Sequence, residues 1–258
     1  MTLKDVIKKL QQALNSKGEK LTVDGDLGPV TQKALNKYDI EISATKKPET
    51  LPVPTTGESK IPWYHFAKKY NGKKETDPAF NKMMSAKWSL FGMNLGTISQ
   101  SWAAWCGLAV AFSLAGVGYD YQKNGSLARN WHKYAVEIVY KTDGIPKGSI
   151  VQINHKGICK DGSSGNHVAF AEGDCAPQDI FDMVKNSQGK WVHRGNTPKF
   201  KSGATFDLYG GNQGNSWKVS TYPVWEICAV RWPKEEAKPK PVFISNKCSS
   251  RGNSDGTQ

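Results

Sequence analysis

Five cysteines and five histidines supply the chain's candidate nucleophiles and bases, and one cysteine stands apart by its neighbours. Cys106 opens Cys-Gly-Leu-Ala-Val-Ala-Phe, a run of small and apolar residues that predicts a helix from Trp105 to Gly116, buried on most sides. At a helix N-terminus, free N–H groups and the dipole favour the thiolate, the nucleophilic form of cysteine. The same position also suits an inert thiol packed as a small hydrophobe. A Cys-His hydrolase needs a base to hold the thiol proton and a polar group to orient that base. His167 leads among the histidines, because it starts the apolar run His167-Val168-Ala169-Phe170 just after Gly165-Asn166. His65 and His132 fall in helical segments, His155 in a loop and His193 in a strand. Asn212, in Gly210-Gly211-Asn212-Gln213 directly after a strand, carries an amide oxygen able to accept Nδ1–H from the base.

The other cysteines sit differently. Cys159 and Cys175 lie in Gly- and Asp-rich loops, Cys228 in a strand-like stretch and Cys248 in a polar tail. An odd count leaves at least one thiol unpaired, and no CxxC spacing points to structural zinc. A zinc set of Cys159, Cys175 and His155 is the minor alternative, and the pairing of the four is left open.

The elements that must position Cys106 and His167 come in a definite order, helices first and strands after. Strands are predicted at Ile150–Ile153, His167–Phe170, Trp191–His193, Thr205–Tyr209 and Trp225–Arg231, separated by Gly, Asn and Asp turns. A leading helix packed on a mainly antiparallel sheet is an α+β layout. This domain runs over 61–233. Before it, 43–60 holds three prolines and no apolar periodicity and reads as a linker. After it, 234–258 reads as a flexible tail.

At the start, Leu3, Val6, Ile7, Leu10 and Leu14 recur at helical spacing. Gly18 is the natural stop, and Asp24-Gly25-Asp26-Leu27-Gly28-Pro29 is a tight turn. A second helix begins at Thr31, with Leu35 and Tyr38 on its buried face. Residues 1–42 thus form a small all-α module. Its Asp24/Asp26 loop reads as a structural turn, with too few oxygen ligands for calcium.

The net charge is +12 over 258 residues, and residues 61–233 carry +8 of it (20 Lys/Arg against 12 Asp/Glu). Such a body favours a polyanionic partner. No run of like charge exceeds two residues, which argues against a basic arm tracking a phosphate backbone. No stretch approaches the roughly 18 apolar residues of a membrane span, and no secretory signal peptide is expected at the N-terminus.

Two resemblances follow from these residues. Val6-Lys8-Leu10-Gln11-Leu14 with Val23-Asp24-Gly25-Asp26-Leu27-Gly28-Pro29-Thr31-Ala34-Leu35 resembles the peptidoglycan-binding domain at the ends of many cell-wall hydrolases. The usual aromatic-Gln ending is here Tyr38-Asp39. Residues 100–233 resemble the CHAP group of Cys-His amidases and peptidases, within the NlpC/P60 papain-like superfamily. The matching segments, in order, are Trp105-Cys106, Gly125-Ser126-Leu127-Ala128-Arg129-Asn130-Trp131, Pro146-Lys147-Gly148-Ser149-Ile150-Val151, Gly165-Asn166-His167-Val168-Ala169-Phe170, Gly210-Gly211-Asn212-Gln213-Gly214-Asn215, and Tyr222-Pro223 leading to Val230-Arg231-Trp232-Pro233. Two places depart from the pattern. Gly210 replaces an acidic residue, and Lys147-Gly148-Ser149 replaces Pro-Gly-Asp.

The resemblance implies a papain-like α+β catalytic domain, its Cys-bearing helix packed on an antiparallel sheet. It implies Cys106 as nucleophile, His167 as base and Asn212 as its orienting partner, acting by acyl transfer without cofactor or metal. The substrate groove is expected along Trp102, Trp105, Gly165, Gly211 and Gln213, although core packing competes for at least two of Trp102, Trp105 and Trp131. The Cys106 N–H is the expected oxyanion donor, with Gln100 or Ser101 as candidates for the second. The implied function is hydrolysis of an amide or peptide bond in bacterial peptidoglycan by a monomer. It would reach the wall after holin release or by a secretion system, the latter with an immunity protein as partner. A non-catalytic wall-binding protein is the alternative, and a nucleic-acid-binding protein is a weaker third.

Overall fold

The computed structural model describes residues 3–26, 30–31, 34, 61–93, 95–100, 104–160, 163–242 and 248. The chain divides into two compact units, Met1–Val53 and Pro54–Gln258.

In the first unit, α1 (Leu3–Asn15) buries Ile7, Gln11 and Leu14 on one face. Gln11 is the centre of the module. Its Nε2 donates to Asp24 Oδ1 (2.8 Å), to the Asp26 carbonyl (3.0 Å) and to Thr31 Oγ1 (3.2 Å), while its Oε1 accepts the Gly25 N–H (2.9 Å). Asn15 clamps the Leu21 backbone from both sides, at 2.8 and 2.7 Å. The Asp26 N–H, and then Gln11, hold the Asp24 carboxyl below its usual range. The Asp24–Asp26 loop is therefore a turn tied to α1 by one side chain. Leu35 and Tyr38, with Gly28 and residues 43–60, lie outside the described residues.

The second unit is α+β. Its main sheet has six strands in the order β1-β8-β2-β3-β6-β7, every neighbouring pair antiparallel. The strands are β1 (Val136–Glu137), β2 (Ile150–Asn154), β3 (Asn166–Ala171), β6 (Thr205–Gly210), β7 (Lys218–Pro223) and β8 (Ile227–Trp232). All of β2 and most of β3 are buried, which is why they read as continuous apolar runs rather than alternating ones. Helices α2 (Pro62–Lys68), α3 (Pro78–Ala86) and α4 (Cys106–Ala115) precede the sheet. Helix α2 sets Tyr64 against Phe170 and Tyr209 of the sheet, and Phe66 against Phe112 of α4. Nine of the ten residues of α4 are buried, as its composition requires.

The sequence reading needs correcting in four places. Residues 218–223 form a strand it missed, because an edge strand half-buried throughout shows little apolar alternation. Trp225 and Glu226 belong to a 3₁₀ turn, Val224–Glu226, and the last strand begins at Ile227. The Trp191–His193 strand, β5, pairs with β4 (Met183–Lys185) in a separate two-stranded ribbon. Finally, the described part of 234–258 is fastened rather than free. Asp120 N–H donates to Glu235 (2.9 Å), Tyr119 to Glu236, and Val242 N–H to the Asp143 carbonyl (2.8 Å). Cys248 is disulfide-bonded to Cys175.

Candidate active site

The start of α4 is wedged between two of the segments that carry the resemblance. On one side, a Cβ on Gly107 would lie 1.9 Å from the Gly125 carbonyl oxygen, so only glycine fits. That oxygen accepts the Trp131 indole N–H at 2.9 Å, which explains why Gly125 and Trp131 occur together. On the other side, a Cβ on Gly211 would lie 2.1 Å from the Trp105 ring and 2.6 Å from the Ala109 methyl. Its neighbour Gly210 packs on Ala169, 2.8 Å from where a Cβ would be, which disfavours an acidic side chain there. At the Lys147-Gly148-Ser149 turn, Asp174 Oδ1 accepts the Lys147 N–H at 2.7 Å.

Cys106 is buried and is the free cysteine of the chain. Cys159 is bonded to Cys228 and Cys175 to Cys248, so the sulfurs of the zinc alternative are committed elsewhere. Burial pushes the Cys106 thiol up, and the N–H groups of Val168, Gly107 and Cys106 itself oppose this.

His167 lies at the start of β3 opposite Ile153, only 6% exposed. Its Nε2 is buried and meets no hydrogen-bond partner among the described residues. Burial, and then the nearby His155, push the imidazole down to about 3. Burial disfavours either charge, so the resting pair is a neutral thiol and a neutral imidazole.

The His167 ring stacks on Tyr222, 5.8 Å between centroids at 27°. The Tyr222 hydroxyl donates to Gln213 Oε1 at 3.1 Å. His155 also stacks on Tyr222, at 5.8 Å and 28°, and its Nδ1 lies 2.9 Å from Glu226 Oε2. Burial, and then the neighbouring Cys106, raise the Tyr222 hydroxyl. The sheet's connectivity explains the meeting: β7 runs through Val224–Glu226 into β8, which pairs with β2 beside β3. Sequence reasoning assigns no role to Tyr222 or Glu226, and places His155 only in the zinc alternative. Tyr222-Pro223 was the one available signal, and it marks a position without revealing the contact.

The β3–β6 register pairs Phe170 with Tyr209 and Ala171 with Leu208 and goes no further. Strand β6 ends at Gly210, and Asn212 turns into the left-handed region at φ 59°. It makes no side-chain hydrogen bond with a described residue.

The expected groove residues separate. Trp105 is fully buried against Phe80 and Trp217, and Trp131 is fully buried too, so both pack rather than line an open surface. Gly211 lies beneath Trp105. Gln213 spends its Nε2 on the Leu208 and Lys218 carbonyls (3.1 and 2.9 Å) and its Oε1 on Tyr222, so it builds the turn rather than facing a ligand. Gly165 is exposed at φ 77°, its carbonyl accepting the His155 N–H at 3.0 Å. Gln100 lies against Gly96. Trp102 and Ser101 lie outside the described residues. No protein-family model, no curated protein and no solved structure matches the chain.

Proposed function

We propose that the second unit is a papain-like Cys-His hydrolase that cleaves an amide or peptide bond of bacterial peptidoglycan, and that the first unit binds the same polymer. The observation that carries this reading is a free, buried thiol at the start of a helix packed on β3, the strand that carries a buried imidazole whose Nε2 has no hydrogen-bond partner among the described residues.

The chemistry follows from the resting charges. As Cys106 Sγ attacks the substrate carbonyl carbon, its proton passes to His167, so neither charge exists before substrate arrives. The carbonyl oxygen becomes negative and is met by the Cys106 N–H, one of the free donors of the first turn of α4. The C–N bond then breaks, with the His167 proton leaving on the amine. Water attacks the thioester with His167 taking its proton, and the acid product leaves as the thiol re-forms. Asn212 and Tyr222 are assigned to orienting His167. The positive charge of the body suits a wall rich in carboxylates.

The test is digestion of purified peptidoglycan followed by mass spectrometry of the released muropeptides. New amine and carboxyl ends made by the wild-type chain, and absent with Cys106→Ala, are expected. Wall binding with no Cys106-dependent product would return the non-catalytic reading.

A further inference from the structure

A wide, open cleft of about 560 Å³, its surface mostly carbon with a few polar groups at its walls, is lined among others by Glu75, Asn81, Lys82, Ser85, Thr97 and Ser99. That volume is within the ordinary range for small-ligand sites. The walls are braced from within. Asn81 Nδ2 donates to the Glu75 carbonyl (2.7 Å), Ser85 Oγ to Asn81 Oδ1 (3.0 Å), and the Ile98 N–H to Ser85 Oγ (3.0 Å).

Glu75 joins the cleft to the site on both sides. Its Oε2 accepts the Trp105 indole N–H at 3.1 Å, and its backbone N–H donates to the Asn215 carbonyl at 3.0 Å. Trp105 is the residue before Cys106, and Asn215 belongs to the turn that follows Asn212. An indole nitrogen lies about 5 Å from its own Cα and successive Cα atoms are about 3.8 Å apart, so the Glu75 carboxylate lies within about 12 Å of the Cys106 Cα. That is the reach of three or four residues of extended peptide.

The charges in the cleft are unbalanced one by one. Glu75 is half-buried, with a single donor on its carboxylate and no cation bound to it among the described residues. Lys82 is exposed on α3 and is in no ion pair with a described residue. A half-buried carboxylate is costly without a compensating partner, and a ligand ammonium would supply one.

We propose that this cleft is a subsite for the peptide part of the substrate, in which Glu75 takes a free ammonium and Lys82 a free carboxylate. The ligand class is a short zwitterionic peptide, such as an uncross-linked wall peptide with a diamino acid and a free C-terminus. This rests on the reading of the second unit as a peptidoglycan hydrolase, and it places recognition within about four residues of the bond cut.

The test is calorimetric titration of the full chain carrying Cys106→Ala, which binds without turnover. Its ligands are a wall pentapeptide with a free side-chain amine, the same peptide acetylated on that amine, and the same peptide amidated at its C-terminus. Acetylation and amidation are each expected to weaken binding about fivefold, the size of one partly exposed ion pair. Adding Glu75→Gln, which keeps an acceptor for Trp105, should abolish the sensitivity to acetylation alone. Adding Lys82→Gln should abolish the sensitivity to amidation alone. No measurable binding, indifference to both modifications, or sensitivities unchanged by the variants would overturn the subsite. Wall cleavage that persists in Cys106→Ala would instead overturn the hydrolase reading, whatever the titrations show.

Discussion

Gln11 and His167 are both buried polar side chains, 1% and 6% exposed, and they differ in what their polar atoms do. Gln11 has three acceptors around its amide nitrogen and a donor at its oxygen, all within the first unit. Among the described residues His167 Nε2 has no partner, while the nearby Gln213 amide uses both its ends. Burying a polar atom without a hydrogen bond costs about 1–3 kcal/mol. The second unit carries that cost at other buried atoms too, Ser149 Oγ and Gln152 Oε1 among them, so the stacking on Tyr222, and not the missing partner alone, sets His167 apart. The contrast is between a buried side chain that closes a network and one whose network stays open.

The contrast is broken most directly at Cys106. Cys106→Ala should lower the rate of muropeptide release by about 10⁴-fold or more, as removal of a nucleophile does, while leaving wall binding intact. Gln11→Ala should do the reverse. It strands the Gly25 N–H and frees Asp24 and Thr31, which should destabilise the first unit by about 2–4 kcal/mol. Loss of wall affinity with unchanged hydrolysis of a soluble muropeptide would establish this. If Gln11→Ala lowered hydrolysis of the soluble substrate instead, the two units would not be separable in this way.

Protonation offers a comparison within one residue. Folding holds His167 at about 3 against 6.5 for a free histidine. Between those values the unfolded chain binds a proton that the folded chain does not. The stability gained by keeping His167 neutral is therefore complete above pH 6.5 and falls as pH drops toward 3. Between pH 7.5 and 5 the wild type should lose about 2 kcal/mol more than His167→Gln, measured by urea unfolding at the two pH values. Equal losses in both chains would mean that His167 is solvated.

How much of this was readable beforehand depended on the range of the contact. Helix α4 and strands β2 and β3 announce themselves because burial on both faces forces mostly apolar runs, broken in β2 by Gln152. Cys106 and His167 stand out in the sequence because each sits at the end of such a run. Strand β7, with Lys218, Ser220 and Thr221 along it, carries no such pattern. The His155–Glu226 pair joins residues 71 positions apart, and the anchoring of Asp120 by Glu235 spans 115. Neither leaves a periodic trace. Gln213 misled for a different reason: a polar residue in a recognisable segment was read as facing a ligand, when the turn itself consumes it.

Tyr222 gives the finest separation between holding and being held. It presents a flat ring to His167 and a hydroxyl to Gln213, and two variants divide these functions. Tyr222→Leu removes the ring that fixes the imidazole plane and should cost about tenfold in kcat, since general-base efficiency depends on orientation. Tyr222→Phe keeps the ring and loses only one hydrogen bond to Gln213, worth about 1 kcal/mol of stability. The kcat should then fall no more than about threefold, with KM unchanged in both variants, because Tyr222 is assigned to the imidazole and not to the substrate. Equal losses from Phe and Leu would place the effect in the hydroxyl, and with it in the turn that Gln213 builds. A graded loss in kcat alone would place it in the stacked ring, and so in the orientation of the His167 imidazole.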